Sequence, residues 1–275
     1  MPGFATRDDL IAEAALGKMD RWDFAKLAPG NSVTNAWYSF WKSVGSGGTG
    51  ADPATTPGTA YSPDQSTAVA GAMFFPDRAS DQRHLVYMQV TGINNGCLML
   101  YDRLVGVAGI TLNSTGAKTV NSTAVPRYSG TDAFDNEAWL EITTATSATA
   151  PIVNISSYTA ADGSTGLAGG SVTFPNAASL AGVMVPLPLA ATDAGVRSVE
   201  TLNVGTAGGA GVATVVILRP IARIPILAGI PTGVSFLDDV LTLPRILDNA
   251  CLALAQFGIG AVTHAVNGSF DCVYG

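Results

Sequence analysis

The stretch 196–218, VRSVETLNVGTAGGAGVATVVIL, decides between two fold classes. Its centre, residues 205–211, is glycine-rich enough to suggest a phosphate-binding loop. Such a loop has to lead into a helix, whose first amides face the anion. The next residues are instead Val212-Ala213-Thr214-Val215-Val216-Ile217, a β-branched run with strand character. Residues 196–204 before the loop have the same character. The stretch therefore reads as a glycine-looped hairpin, and the chain as all-β rather than α/β.

The same texture extends in both directions. From residue 68 onward, short β-branched and aromatic runs alternate with Gly, Pro, Asn and Asp about every ten residues. Strands are expected at 69–75, 84–91, 97–105, 137–144, 151–158, 170–174, 182–187, 196–204, 212–218, 250–257, 261–266 and 269–274. Asn95-Gly96 and Asn267-Gly268 are hairpin signals, because a type I′ turn needs positive φ at both central residues. Residues 219–231 hold Pro220, Pro225 and Pro231 among Ile and Leu, which suits an edge strand or an extended crossing segment. Residues 235–243 read as a short helix, with Ser235 and Asp238 at capping-box spacing and Pro244 as its stop. The expected body, residues 61–275, is a β-sandwich or jelly roll.

Residues 1–60 differ from the body and read as an N-terminal helix and extended arm. Nine of the 35 charged residues lie in the first 27 positions. Thr6-Arg7-Asp8-Asp9 resembles a capping box, Leu10, Ile11, Ala14 and Ala15 come next at helical spacing, and Gly17 is a stop. A helix over 7–16 is expected. Three of the four tryptophans, Trp22, Trp37 and Trp41, fall within this arm, as does Phe24. Aromatics concentrate at interface centres, so Leu10, Ile11, Trp22, Phe24, Trp37 and Trp41 form the candidate interface. The alternative is a terminal segment packed on its own domain.

Composition points the same way. Charged residues are 13% of the chain, roughly half the share usual in a soluble domain. A lone protein of this size needs more surface charge, so much of the surface is expected to be covered by copies of itself or by another protein. The net charge of -7 and pI near 4.6 disfavour nucleic acid and anionic membranes as partners. No apolar run approaches the roughly 20 residues of a membrane span. Asp8, Asp9, Glu13 and Asp20 argue against a secretory signal. Three scattered cysteines, Cys97, Cys251 and Cys272, suit a reducing cytosol.

Catalytic readings are weak. Gly116-Ala117-Lys118-Thr119 has the tail of a phosphate loop without its upstream glycines. Two histidines and no paired cysteines leave little for a metal site, and no cofactor is expected. A hairpin turning at Asn267-Gly268 would place Ser269, His264 and Asp271 on one face. That set lacks an oxyanion hole and an exposing elbow, so a stabilising cross-strand His–Asp pair explains it better. Asp238-Asp239, adjacent on a helix, is a poor acid–base couple. No enzyme is expected.

Three segments carry a resemblance: MPGFATRDDLIAE at 1–13, LRPIARIP at 218–225 and LPRILDNACL at 243–252. They resemble the corresponding parts of tailed-bacteriophage virion structural proteins, over about a fifth of the chain. The resemblance implies a non-enzymatic virion component made in the host cytoplasm, and supplies no catalytic residue. No long, well-charged helix of the common shell fold is visible, so a minor capsid or cement (decoration) protein is favoured. Its partners would be the major capsid protein or other virion proteins, and further copies of itself, a trimer by analogy. A second reading is a glycan-binding adhesion module of a head fibre or tail tip, with Trp139 beside Glu137 and Glu141 as its candidate site, although a core tryptophan on a strand explains Trp139 better.

Overall fold

A computed structural model describes residues 4–31, 33–51, 56–64, 69–78, 81–147, 149–175, 180–237, 243–260 and 263–275. Among these residues one α-helix, α1 (Arg7–Ala15), comes first. It is followed by β1 (Met19–Asn31), β2 (Ala36–Ser39), β3 (Val44–Gly45), β4 (Ala60–Tyr61), β5 (Arg83–Gly92), β6 (Gly96–Thr111), β7 (Gly116–Thr119), β8 (Glu137–Thr144) and β9 (Ile152–Ala160). The later strands are β10 (Ser171–Thr173), β11 (Val183–Pro186), β12 (Val196–Thr206), β13 (Val212–Ile226), β14 (Thr232–Ser235), β15 (Arg245–Ile246), β16 (Leu252–Gly258) and β17 (Thr263–Tyr274). The fold is all-β with a short N-terminal helix, as expected.

Its centre is a closed barrel. Strands β13, β8, β11, β2, β16 and β6 pair in that order, and β6 returns to β13, so every neighbour is antiparallel and the ring closes. β4 adds to β6 beyond β16. A second sheet runs β14–β5–β17–β1–β3, with β15 also on β5, and a third runs β10–β9–β12–β7.

Alternation along the barrel strands explains the three layers. Met99, Tyr101, Trp139, Val216, Leu218, Ala253 and Ala255 point inward and fill the barrel with Trp41 and Met184. Leu98, Leu100, Leu252, Leu254, Tyr38 and Phe40 point outward and meet Phe24, Leu85, Met88, Val90 and Phe270 of the second sheet. On the other flank Leu140, Ile142, Val215 and Ile217 meet Val153, Ile155, Val199 and Leu202 of the third. The barrel is thus buried on two sides by its own chain.

Several expectations are corrected. Residues 1–60 do not form an arm: β1 is a full ladder partner of β17, and β2 closes the barrel between β11 and β16. Neither Asn-Gly pair makes a hairpin. Asn95-Gly96 joins two sheets, since β5 and β6 do not pair. Asn267-Gly268 lies within β17, an unbroken strand. The loop at 205–211 also crosses between sheets, because β12 and β13 belong to different ones. Residues 69–75 contribute one isolated bridge, Met73 to Leu252, rather than a strand. Ser235 ends β14, and the rest of the helix expected there, residues 238–242 with Asp238-Asp239, lies outside the described residues.

Other readings hold. Thr6 and Asp9 form a reciprocal capping box on α1, and Gly17 stops the helix at φ +80°. Arg219, Pro220 and the residues to Ile226 continue β13 with β6 as its ladder partner once β8 has ended, so the prolines sit on an edge.

Candidate interaction surface

One end of the second sheet carries an apolar surface. It forms where β1, β3 and β17 end beside the loops after β5 and β13. Side chains of β1 alternate, and Phe24, Lys26 and Ala28 are buried while Ala25 and Leu27 face out. Leu27 lies opposite Val44 on one side and Ala265 on the other. Gly45, at φ +119°, lets β3 approach this close, since a Cβ there would stand 2.0 Å from the Ala25 carbonyl oxygen. Across the sheet, Ile93 donates its amide to the Ala265 carbonyl at 3.2 Å. The turn from Leu227 to Ile230 is pinned by Gly229 N–H to the Gly92 carbonyl and Ala228 N–H to Asn95 Oδ1, both at 2.8 Å.

Leu27, Val44, Ile93, Leu227 and Ile230 are each 48–58% exposed. Several of them rim a groove of about 370 Å³ that also includes Ala25, Ala265 and Val266. Its single charged lining residue, Lys26, is buried, and its ammonium donates to the carbonyls of Gly48 at 2.9 Å and Ser43 at 3.3 Å. Burial lowers the Lys26 pKa to about 8. Water therefore meets a contiguous apolar surface without an exposed charge, the kind that marks an interaction site.

The residues expected at an interface are placed otherwise. Leu10 is buried beneath α1 with Phe4, Val86 and Val273. Phe24 packs on Phe270 in the core, and half-buried Trp22 meets Phe75 edge-on at 6.0 Å. Trp41 is fully buried in the barrel. Trp37 is half-buried, edge-on to Trp139 and Phe257, both at 5.7 Å. Only Ile11 stands well exposed, and the six do not form one surface. A signal for the missed residues did exist. If Trp22 and Phe24 face inward, alternation sends Leu27 outward and Lys26 in.

The tempting catalytic set dissolves. With β17 unbroken, His264 lies on the core face and Ser269 and Asp271 on the opposite one. Ser269 accepts from Arg21 and from Gln89, both at 3.1 Å, and so serves a polar side-chain network. Burial depresses the His264 pKa to about 4, which keeps the ring neutral. Trp139 is buried, so it offers no platform for a sugar; its indole N–H donates to Glu137 at 2.8 Å. Glu141 faces the barrel interior and pairs with Arg103 at 2.8 Å. Among the described residues, no cluster of three His, Cys, Asp or Glu side chains is placed to hold a metal ion, and no helix is long and apolar enough to cross a membrane.

Charge is withdrawn into the fold. Among the described residues, seven charged side chains are buried: Asp20, Lys26, Arg83, Asp102, Arg103, Arg127 and Glu141. Asp102 accepts from Arg127 at 2.6 and 2.9 Å and from the Cys251 amide at 2.8 Å. Asp20 accepts from Arg83 at 2.9 Å and also pairs with Arg78. These four cations and three carboxylates sum to +1. With a net charge of -7 over 35 charged residues, the other 28 therefore carry -8. Comparisons with family models, with curated proteins and with solved structures find no match to this chain.

Proposed function

We propose that this chain is a non-enzymatic structural component of a tailed-phage virion, a minor capsid or cement protein that binds and stabilises the head shell. The observation that carries the reading is the charge-free apolar end of the second sheet, on a chain that also buries a fifth of its charges. The resemblance of 1–13, 218–225 and 243–252 to virion proteins supplies the particle. A barrel braced on two flanks suits a lattice protein, which keeps its shape while many weak contacts add up through multivalency.

The apolar end takes a second copy of the chain. Copies of net charge -7 repel each other. They meet at least cost where no carboxylate is brought against another, and this surface has none. Repeated around an axis, the contact closes a ring, with three copies the expected number.

The test is light scattering coupled to gel filtration, followed by co-sedimentation with undecorated phage heads. The wild-type chain is expected to run as a trimer and to sediment with heads. Ile93→Asp combined with Leu227→Asp is expected to give a folded monomer, because two carboxylates would be desolvated in the contact. A wild-type chain that stays monomeric at about 50 µM, well above the micromolar range of modest affinities, and does not bind heads would overturn the reading.

A further inference from the structure

A polar cleft of about 510 Å³ opens where all three sheets meet. β8 begins there at Glu137, β13 passes its Pro220 irregularity, and β15 brings Arg245 from the second sheet. A loop leading to β12 adds Ala194. The volume lies within the range of small-molecule sites.

The charges in the wall are unequally compensated. Arg219 bonds the Asp132 carbonyl at 2.9 Å and Asp135 Oδ2 at 2.8 Å, and lies 5.1 Å from the centre of the Tyr128 ring. Glu137 is held by Arg223 at 3.0 Å and by the Trp139 indole. Arg245 is exposed and has no ion-pair partner among the described residues. Asp135 uses one oxygen on Arg219, and its side chain is otherwise 73% exposed. Tyr128, also in the wall, holds a buried hydroxyl without a hydrogen-bond partner and a backbone at φ +49°, outside the region ordinary residues prefer. Pro220, Ile221 and Pro244 make an apolar side to the cleft.

We infer that this cleft binds an acidic sugar, with Arg245 taking the carboxylate, Asp135 accepting from ring hydroxyls, and Pro220, Ile221 and Pro244 lying under the ring's C–H face. Each feature of the wall selects one feature of the ligand. A guanidinium without an ion-pair partner among the described residues asks for a single negative charge and can hold a carboxylate through two parallel hydrogen bonds. Asp135 and Glu137 repel a phosphate dianion but accept from hydroxyls. A simple fatty acid has no hydroxyl to donate to those carboxylates, and a neutral sugar would leave Arg245 unused. The inference stands apart from the virion reading and needs no second copy of the chain.

The experiment is calorimetric titration of the full chain with methyl β-D-glucuronide, methyl β-D-glucoside and sodium acetate. The glucuronide is expected to bind in the millimolar range. The glucoside and acetate are each expected about tenfold or more weaker, the size of one lost charge-assisted hydrogen bond. Arg245→Ala, at an exposed position, is expected to reduce glucuronide affinity to that of the glucoside while leaving the circular dichroism spectrum unchanged. Three results would each overturn the inference: equal binding of glucuronide and glucoside, acetate binding as tight as glucuronide, or full affinity in Arg245→Ala. So would the absence of any binding heat up to about 50 mM, far above millimolar dissociation constants.

Discussion

Inside the barrel, Arg103 and Glu141 meet at 2.8 Å, both fully desolvated. The Arg103 guanidinium lies 4.6 Å from the Trp41 ring centre and donates to the Tyr61 hydroxyl at 2.9 Å. Tyr61 reaches it across Gly106, where any Cβ would stand 2.4 Å from the phenol ring. A buried pair of this kind is costly to break and cheap to replace. Glu141→Gln is therefore expected to destabilise the chain by about 3–5 kcal/mol, because it removes the buried carboxylate that faces this cation. Replacing both partners, Arg103→Met with Glu141→Leu, is expected to cost far less than the single change. Urea unfolding monitored by tryptophan fluorescence measures both. A single change costing under about 1 kcal/mol would mean that water reaches the pair. Nothing in the sequence marks these two residues as partners: Arg103 follows Asp102, Glu141 shares its strand with Glu137, and 38 positions separate the two.

At the scale of the element, β17 is the instructive strand. Asn267-Gly268 carries the residue types of a tight turn, yet β1 and β5 pair with β17 straight through it. Gly268 is not among the residues with positive φ. It is needed for space: a Cβ there would lie 2.1 Å from the Gln89 carbonyl oxygen and 2.8 Å from the Phe24 ring. Glycine thus serves close approach rather than backbone conformation. Gly268→Ala is expected to cost about 1–3 kcal/mol through overpacking. Gly205→Ala, whose Cβ would meet only one atom at 3.8 Å, is expected to change stability by less than about 0.5 kcal/mol. Thermal unfolding compares the two directly, and equal effects would contradict the packing account. The helix is the opposite case. Its capping box, Thr6 with Asp9, is a local device, and it forms where the residues predict it.

For the molecule as a whole, the barrel and its two covering sheets either fold as one unit or melt apart. Strand β13 argues for one unit. Ala213, Val215 and Ile217 pack toward the third sheet, Val216 and Leu218 into the barrel, and Ala222, Ile224 and Ile226 toward the second sheet. No layer can leave without exposing a face of this strand. Urea unfolding is expected to be a single transition, coincident by far-ultraviolet circular dichroism and by fluorescence of Trp22, Trp41 and Trp139. Two separated midpoints would show that a covering sheet melts independently. The same closure bears on the interaction surface. The barrel ring is closed, and the apolar surface that meets water lies at the exposed end of the second sheet, with Leu27, Val44 and Ile93.

Much of this was legible from residues alone, for a definite reason. Strand character is a property of one segment. The β-branched runs at 137–144, 196–204 and 212–218 became strands in place. Partner choice is a different kind of fact. Every strand edge offers the same amides and carbonyls, so hydrogen bonding does not distinguish one neighbour from another. The choice rests on which apolar faces are buried together across long separations. That is why β1 paired with β17 instead of reaching out as an arm, and why glycine loops with hairpin signatures became bridges between sheets. It is also why Lys26 went inside and Leu27 came out. The strands, the capped helix and the scarcity of charge could be read from the residues, because each is set by composition or by a few neighbours in the chain. The closed barrel, the pairing of its buried charges and the apolar end left open to water emerged only on folding, because each depends on faces brought together from distant segments.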